Sequence, residues 1–485
     1  MAYDIWFEMK QGEYFLHHQT FDDAFTFTIP GKKVINQEWL MEVIFFLIYR
    51  FSGSHGLIIF NTLMIALIFY ILYQIMKTEH IDPYIGFWIL FLTLIMIRFR
   101  LLVRPHMISL FFIILFFYFL NNYKNGRIKH LFLLPLLTIL WTNLHFGSVF
   151  GLILIGCYFA GYFVQTIFPS WNRGEAPPTM SITKRNHLFM ILTLCGLAAL
   201  INPFGAAFYT FPLEVTRLGL KYKIIECLSP LAISKTHIIL PLFWLMLLAY
   251  IFIIFASIRH MEIVDLLIFS ITLIFALKIL RFIPEFALLN APIMAKQLSR
   301  WKKKISPEFS IPFLKKRFFI AVTSLSICLI MMFSARSYLK NYEFGYGIDT
   351  PTQASFDAAD FLVNNNIQGN IFNEMRYGGH ILWKAFPKNK IYVYGRYTAF
   401  GEPLLNEYFD ILGATGDWQE KLKRYQVNIA FLGRETSKLF FELARSKEWT
   451  MVYYNQNVSV FLRNVPEFQS LINRLRVEII DTEQL

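Results

Sequence analysis

The chain has 485 residues, of which 56% are hydrophobic and 16% are charged, and its net charge is +13. Soluble globular proteins carry roughly 45–50% apolar and about 25% charged residues. The composition therefore excludes a chain that is soluble throughout, as well as disorder, collagen and coiled coil. The repeated apolar runs predict a multi-pass α-helical membrane protein. The positive charge fits basic cytoplasmic loops, and nucleic-acid binding is not predicted.

The first 55 residues precede the long apolar runs and are rich in acidic and aromatic side chains. They predict an outer N-terminal loop with juxtamembrane helices, and the stretch 38–49 is apolar but too short to span a bilayer. They lack a basic stretch followed by an apolar stretch, so no cleavable signal peptide is predicted.

Ten apolar runs in residues 56–334 predict a domain of about ten transmembrane helices. Several runs fall short of the roughly 20 residues that a spanning helix needs, and two of these, 131–144 and 284–297, are candidates for broken or re-entrant helices. The runs lie at 56–76, 83–97, 105–120, 131–144, 146–168, 187–201, 237–257, 262–280, 284–297 and 318–334.

The loops between these runs differ in their content of Lys and Arg. If the N-terminal segment is outside, the inner loops are the more basic set, with the largest cluster in residues 296–317. Cytoplasmic loops carry the excess of basic residues. The N-terminal segment and the C-terminus are therefore predicted to lie outside the cytoplasm. The inner loops are 77–82, 121–130, 169–187, 258–261 and 296–317.

From about residue 335 the composition changes, because Gly, Asn, Asp and Glu become common and apolar runs become short. Residues 335–485 are predicted to form an extracytoplasmic α/β domain. Its predicted helices include 353–365 and 377–385, and its predicted strands are 369–373, 389–395, 427–431, 449–454 and 457–462.

In this topology, ionisable and amide residues near the membrane converge on the outer side. Such residues are costly near a bilayer and usually functional. Each one singly also fits an interface anchor, but together they predict an outer cavity lined by carboxylates, Arg, His and Asn. The set is Asp4, Glu8, Arg98, Arg100, Arg104, His106, Asn143, His145, Asn202, Glu226, Lys278 and Arg281.

Ten different short motifs follow one another along the chain. They are Asp4-Ile5-Trp6-Phe7-Glu8 with Gly12, Asp22-Asp23, Phe25-Thr26-Phe27-Thr28, Glu38-Trp39-Leu40, Arg104-Pro105, Asn143-Leu144-His145, Asn202-Pro203-Phe204-Gly205, Arg281-Phe282-Ile283-Pro284, Gly378-Gly379-His380 and Tyr394-Gly395-Arg396. The set resembles a bacterial branch of the GT-C superfamily, the multi-pass glycosyltransferases that use polyprenyl-phosphate-linked sugars. In that family a transmembrane helix precedes the Asp-bearing loop, whereas this sequence starts three residues before Asp4.

The resemblance implies an inverting glycosyltransferase in a bacterial plasma membrane, with Asp4 as the base for the acceptor hydroxyl. The donor would be a polyprenyl-phosphate sugar, and the acceptor a glycan, a lipid or a protein. Transfer also needs charge stabilisation of the leaving phosphate. The candidates for that role are Arg104, His106, Asn143, His145, Asn202 and Arg281. The candidates to orient the acceptor or to bind a divalent cation, Mg or Mn, are Glu8, Asp23 and Glu38.

Two alternative functions, and two roles for Arg396, are also compatible with the sequence. A transporter or flippase of lipid-linked saccharide predicts paired broken helices in two related halves, and the sequence shows no such repeat. A sensory or scaffolding protein with a ligand-binding outer domain leaves the membrane-proximal Arg and Asn residues without a role. Arg396 either has a structural role in the outer domain or reaches the acceptor.

Overall fold

The computed structural model describes residues 4–167, 182–233, 240–305, 350–434 and 437–477. The chain divides into two compact units. The terminal unit consists of Met1–Ile58 and Ala321–Leu485, and the helical unit consists of Ile59–Ile320. The N-terminal segment and the C-terminal domain, which the sequence divided at residues 55 and 335, thus belong to one unit. The predicted run 318–334 lies outside the described residues.

The N-terminal segment, predicted as a loop, contains helix α1 (Ile5–His18) and leads into helix α2 (Trp39–Thr78). A Cβ on Gly12 of α1 would lie 2.3 Å from the carbonyl oxygen of Glu42, so only glycine allows this backbone contact. Helix α2 is interrupted at Gly53, where a φ of 59° favours glycine. The predicted juxtamembrane stretch and the first apolar run are therefore parts of one interrupted helix.

The helical unit continues with short connections between apolar helices. Asp82 begins helix α3, because its Oδ1 accepts hydrogen bonds from the backbone N–H groups of Tyr84 and Ile85 at 3.1 and 3.2 Å. The helices after α2 are α3 (Pro83–Ile97), α4 (His106–Lys124), α5 (Leu133–Leu144), α6 (Val149–Ile167), α7 (Ile182–Ala198), α8 (Ala207–Lys221), α9 (Leu240–Ser257), α10 (Ile263–Lys278) and α11 (Ile283–Ile305).

Within the described ranges, five helices are long and apolar enough to cross a membrane. They start at Trp39, Pro83, His106, Phe146 and Leu240. Helix α9 exposes apolar side chains along one face, as a helix in contact with lipid does; these are Leu245, Leu248, Phe252 and Phe255. The protein is therefore a membrane protein, and the count of ten spans stays a prediction.

The loops of the helical unit gather at two ends. At one end, Lys296 lies 2.6 Å from Glu262 and 3.2 Å from Glu79, and Lys124 lies 2.7 Å from Glu262. These residues come from four of the loops or helix ends that the sequence assigned to the inner side. At the other end, the backbone N–H of Leu280 donates to the carbonyl of Leu228. These described loops thus lie at two different ends of the helical unit, and the membrane topology, including which end faces the cytoplasm, stays a prediction.

The C-terminal part of the terminal unit is built around a five-stranded mixed sheet. Its order is β2-β1-β3-β5-β4, with β1 parallel to β2 and β3, and with β5 antiparallel to β3 and β4. The strands are β1 (Gly369–Asn373), β2 (Asn389–Ile391), β3 (Val427–Gly433), β4 (Trp449–Tyr454) and β5 (Val458–Arg463). The helices are α12 (Thr350–Asn364), α13 (Gly378–Ala385), α14 (Gly401–Leu412), α15 (Trp418–Arg424), α16 (Lys438–Arg445) and α17 (Gln469–Leu475).

The N-terminal segment joins this sheet and its helices. The backbone N–H of Ile391 in β2 donates to the carbonyl of Phe25 at 3.1 Å, and Thr26 forms a parallel bridge with Ile391. On α1, the Trp6 ring lies in a core of rings, with its centroid 4.6 Å from that of Phe356 and 5.6 Å from that of Trp383. Residues at opposite ends of the sequence therefore share one core.

Candidate functional site

Asp4 lies at the start of α1, where its carbonyl accepts hydrogen bonds from the N–H groups of Phe7 and Glu8 at 3.1 Å. Its carboxylate rests against the backbone of Gly395, because a Cβ built there would lie 2.6 Å from Asp4 Oδ1 and 2.6 Å from the Phe7 ring. Two of the predicted motifs, the Asp-bearing start and Tyr394-Gly395-Arg396, are therefore in contact.

Arg396 is buried beside this contact in an ion pair. Its guanidinium donates to Glu42 Oε1 at 2.5 Å and to Gln11 Oε1, and it lies 3.9 Å from Glu38 Oε2. The other Glu42 oxygen accepts from Asn36 Nδ2 at 2.5 Å. The positive charge of Arg396 is thus compensated within the terminal unit. Its hydrogen bonds join α1, the start of α2 and the segment after β2, as a structural role requires.

Asp23, predicted to orient the acceptor or to bind a cation, is buried with both carboxylate oxygens engaged. Oδ2 accepts from Thr26 N–H at 3.0 Å and from Thr26 Oγ1 at 2.5 Å, and Oδ1 accepts from the Tyr394 hydroxyl at 3.2 Å. Burial raises the pKa of Asp23 above its ordinary value, although these hydrogen bonds oppose the shift. The carboxylate is therefore held rigidly by the protein.

Glu8 is also buried, and Glu38 is partly buried. Within the ranges that the structure describes, no three His, Cys, Asp or Glu side chains converge as the ligands of a metal ion would. The described geometry of Glu8, Asp23 and Glu38 therefore does not fit a divalent-cation site. No chemical step below uses a metal, and the predicted Mg or Mn stays untested.

In the helical unit, two arginines hold one carboxylate. Arg100 and Arg104 donate to the two oxygens of Glu226 at 2.8 and 2.7 Å. Burial by itself raises the pKa of Glu226, but the charges of both arginines outweigh burial and lower the pKa to about 2. Arg104, predicted to bind the donor phosphate, is thus ion-paired, and a phosphate at this position would compete with Glu226.

The hydrogen bonds of His145 indicate which ring nitrogen carries the proton. Its Nδ1 accepts the N–H of Gly147 at 2.9 Å and lies 2.7 Å from Ser109 Oγ, which in turn accepts the indole N–H of Trp141 at 2.8 Å. Because Nδ1 is an acceptor, the proton of the neutral imidazole is on Nε2. His145 can therefore act as a hydrogen-bond donor through Nε2, as a phosphate-binding role requires.

The two predicted asparagines shape backbone turns. Asn143 Nδ2 donates to the carbonyls of Ile139 and Ile201 at 2.8 Å. Asn202 Oδ1 accepts the N–H of Phe204 at 2.8 Å, which is the hydrogen bond of an Asx turn. The Nδ2 group of Asn143 would have to give up one of these hydrogen bonds to donate to a phosphate. The phosphate-binding role of Asn143 therefore stays a prediction.

Arg281 and His106 complete the predicted phosphate-binding set. The Arg281 guanidinium carbon lies 5.5 Å from the ring centroid of Phe146 and 5.3 Å from that of Phe282. Among the described residues, no carboxylate lies within ion-pair distance of Arg281. His106 Nε2 is 2.7 Å from the carbonyl of Arg100 and donates to it. Arg281 is therefore better suited than Arg104 to receive an anion, because it forms no ion pair with a described carboxylate and its electrostatic interaction with Glu285 is more distant.

No protein-family model and no curated protein matches the sequence. Two solved structures of the Archaeoglobus fulgidus oligosaccharyltransferase do match. The form tethered via a disulfide bond to an acceptor peptide with an NVT sequon has a TM-score of 0.54 and 13% identity, over 89% of this chain and 65% of that chain. The apo form has a TM-score of 0.55 and 12% identity, over 89% and 66%. The chain has the GT-C fold.

The chain spans slightly less than two thirds of the length of the oligosaccharyltransferase it matches. All of its predicted acidic site residues lie in the terminal unit, and all of its predicted phosphate-binding residues lie at one end of the helical unit. Sequence reasoning left out two side chains that accept hydrogen bonds from Arg396, namely Gln11 and Glu42, and it left out Asn36, which donates to Glu42. Glu42 follows Glu38 by four residues, about one helical turn, and this spacing was the sequence signal that could have placed Glu42 beside Glu38.

Proposed function

We propose that this GT-C chain is a membrane glycosyltransferase that moves a sugar from a polyprenyl-phosphate donor to an acceptor hydroxyl, with inversion at the anomeric carbon. The reaction takes place outside the cytoplasm, at the plasma membrane of a bacterium. The observation that carries the proposal is the GT-C fold over 89% of the chain. The contact between Asp4 and Gly395 supports it further, because it holds a carboxylate in a defined position.

In the proposed reaction, Asp4 accepts the proton of the acceptor hydroxyl while the hydroxyl oxygen bonds to the anomeric carbon. The bond from this carbon to the phosphate oxygen breaks, and the polyprenyl phosphate leaves with the electron pair. The leaving group gains negative charge, which a guanidinium stabilises. Arg281 is the proposed partner of the phosphate, with His145 Nε2–H as a second donor.

Asp4→Asn tests the proposal. Asparagine keeps the size of the side chain and removes the base, so sugar transfer falls by about 10²–10⁴-fold. The measurement is mass spectrometry of surface glycans in cells that lack the gene and carry either version of it. Asp360→Asn, at an exposed carboxylate of the terminal unit that pairs with Lys384, is the matched control and leaves transfer unchanged.

Equal amounts of both variants in the membrane are required for this comparison. An unchanged glycan product with Asp4→Asn rejects Asp4 as the base. If deletion of the gene leaves all sugar linkages intact but lipid-linked saccharide accumulates inside the cell, the chain is a flippase and the proposal is wrong.

A further inference from the structure

An open groove lies on the terminal unit, between the residues that follow α14 and one face of α16. Its volume is about 460 Å³, which falls within the range of about 300–1,000 Å³ for small-molecule sites. One wall is the loop 413–415, and the other consists of the side chains of Lys438, Phe441, Glu442 and Arg445. Neither the predicted site residues nor the proposed reaction uses this groove.

The sequence of α16 explains which of its side chains reach the groove. Leu439, Phe440 and Leu443 are fully buried and form one face of the helix. The lining residues follow one another at i, i+3, i+4 and i+7, a spacing that places them together on the opposite face. On this face the three charged side chains are exposed, and the ring of Phe441 is partly exposed. The helix therefore presents charges and one aromatic surface to the groove.

The loop that forms the other wall is held by its own backbone. The N–H groups of Gly413, Ala414 and Thr415 each donate to a carbonyl in the last turn of α14 at 2.9 Å. Thr415 Oγ1 donates to the carbonyl of Asp410 at 3.2 Å, so the hydroxyl still offers its lone pairs as acceptors. This wall is in place before a ligand arrives, which lowers the entropy cost of binding.

The groove carries positive charge that no described residue compensates. The side chains of Lys438 and Arg445 form no hydrogen bond or ion pair within the described ranges, and neither does the carboxylate of Glu442. By contrast, Lys384 of the same unit pairs with Asp360 at 2.9 Å. Two cations and one carboxylate leave an excess of positive charge, so the groove favours a ligand with negative charge.

The order of these charges along α16 selects among anions. Lys438 and Arg445 are seven residues apart, which corresponds to about 10 Å along the helix axis. Glu442 lies between them, so a phosphate held by both cations would be repelled by its carboxylate. A glycan with carboxylates along its chain can instead contact each cation through a different sugar unit, while its hydroxyls donate to Glu442. The ring of Phe441 matches the apolar C–H face of a sugar.

Two other ligand classes do not fit this lining. A lipid tail needs apolar surface, whereas three of the four side chains that α16 contributes are charged. A metal ion needs several converging ligands, whereas the lining residues include one carboxylate and no His or Cys. The groove is also open rather than enclosed, which suits one part of a longer chain.

We infer that this groove binds an acidic glycan, a saccharide chain that carries carboxylates. None of its lining residues belongs to the predicted catalytic or phosphate-binding set, and binding requires no transfer of a sugar. The inference therefore goes beyond the proposed function and does not depend on it.

Saturation-transfer-difference NMR on the purified full chain in detergent, at constant ionic strength, tests the inference without any donor. The probe is tetragalacturonate, and its methyl ester keeps the sugar chain but removes the negative charges. Tetraglutamate supplies carboxylates without sugar rings, and inorganic phosphate, added as a competitor, supplies a compact anion.

Two double variants are compared with the unaltered chain. The groove variant combines Lys438→Gln with Arg445→Gln. The control variant combines Lys388→Gln with Arg476→Gln, so it also loses one lysine and one arginine, at exposed positions of the same unit outside the groove. All four substitutions are at exposed side chains, and equal melting temperatures show that the variants fold alike.

We expect a signal for tetragalacturonate, and binding about five- to tenfold weaker in the groove variant, because two charge pairs near the surface are lost. The control variant binds like the unaltered chain. The methyl ester and tetraglutamate bind more weakly than tetragalacturonate, and phosphate at the same concentration does not displace it. No signal for tetragalacturonate, equal binding by groove and control variants, or equal binding of tetraglutamate overturns the inference, as does displacement by phosphate.

This measurement separates the inference from the proposed function. If the groove binds tetragalacturonate but Asp4→Asn transfers sugar normally, the proposed catalytic role fails and the glycan site stands. If Asp4→Asn abolishes transfer but tetragalacturonate gives no signal, the proposed function stands and the inference is wrong.

Discussion

At the scale of single residues, Gly395 illustrates what a motif can and cannot reveal. The sequence identified Tyr394-Gly395-Arg396 through resemblance, without a reason for its glycine. In the structure, the absent side chain leaves the space that the Asp4 carboxylate and the Phe7 ring occupy. The reason is therefore steric, and it concerns a residue about 390 positions away along the sequence.

Gly395→Ala is expected to displace the Asp4 carboxylate and to lower sugar transfer by about 10²-fold, the typical cost of misplacing a catalytic group by 1 Å. The same glycan mass spectrometry measures the effect. Gly156→Ala is the control, because a Cβ at Gly156 meets no atom within 4 Å, and it keeps full activity. Normal transfer with Gly395→Ala would contradict the placement of Asp4.

At the scale of elements, α1 packs against α12 and α13 around buried aromatic residues. The sequence placed residues 1–37 in an outer loop with juxtamembrane helices, because they are polar and aromatic and precede the long apolar runs. The helix is surrounded by protein, and Ile5, Trp6, Phe7 and Met9 are all buried. Such a helix lacks the clean amphipathic signature of a surface helix.

His380 on α13 makes this packing sensitive to acid. The ring is fully buried, with Nδ1 2.5 Å from Ser355 Oγ, and burial lowers the pKa of His380 from 6.5 to about 3. The folded chain keeps this ring neutral where the unfolded chain protonates it. The contribution to stability is therefore complete above about pH 6.5 and decreases as the pH falls toward 3.

His380→Gln removes this titration, so the melting temperature falls less between pH 7 and pH 4.5 than it does for the unaltered chain. Thermal unfolding in detergent at constant ionic strength measures the difference. His17→Gln, at an exposed histidine near the end of α1, retains the full pH dependence. An equal pH dependence in the two variants would rule out His380 as its source.

At the scale of the whole molecule, the two charged ends of the helical unit organise the topology. The end with Lys124 and Lys296 holds two cations among three carboxylates, whereas the opposite end pairs Arg100 and Arg104 with Glu226. Both groups were visible in the sequence as scattered charges. Their pairing follows from the helices that bring them together.

Reporter fusions after residues 125 and 223 test this arrangement. Position 125 follows α4 at the Lys124 end, and position 223 follows α8 at the Glu226 end. We expect the first reporter in the cytoplasm and the second outside it, because basic inner loops stay in the cytoplasm. Reporters on the same side would contradict the alternation of the loops, and exchanged sides would contradict only the orientation.

The sequence by itself determined most elements of the C-terminal domain. Strands β1 and β4 have the predicted bounds, and β5 is displaced by one residue. Strand β2 ends at Ile391 rather than at 395, because the chain then turns toward Gly395 and Arg396. A buried strand is an apolar run between turn residues, and this signal is local. Apolar runs predicted the membrane helices for the same reason.

Only the tertiary structure decided which distant residues meet. Arg396 and Glu42 are 354 positions apart, and Arg104 and Glu226 are 122 apart, yet each pair forms a close ion pair. Such pairs depend on how helices and strands pack after the chain has closed long loops, and no local pattern encodes that packing. The hydrophobic periodicity of the sequence thus specified the elements, and their packing decided the partners of the buried charges.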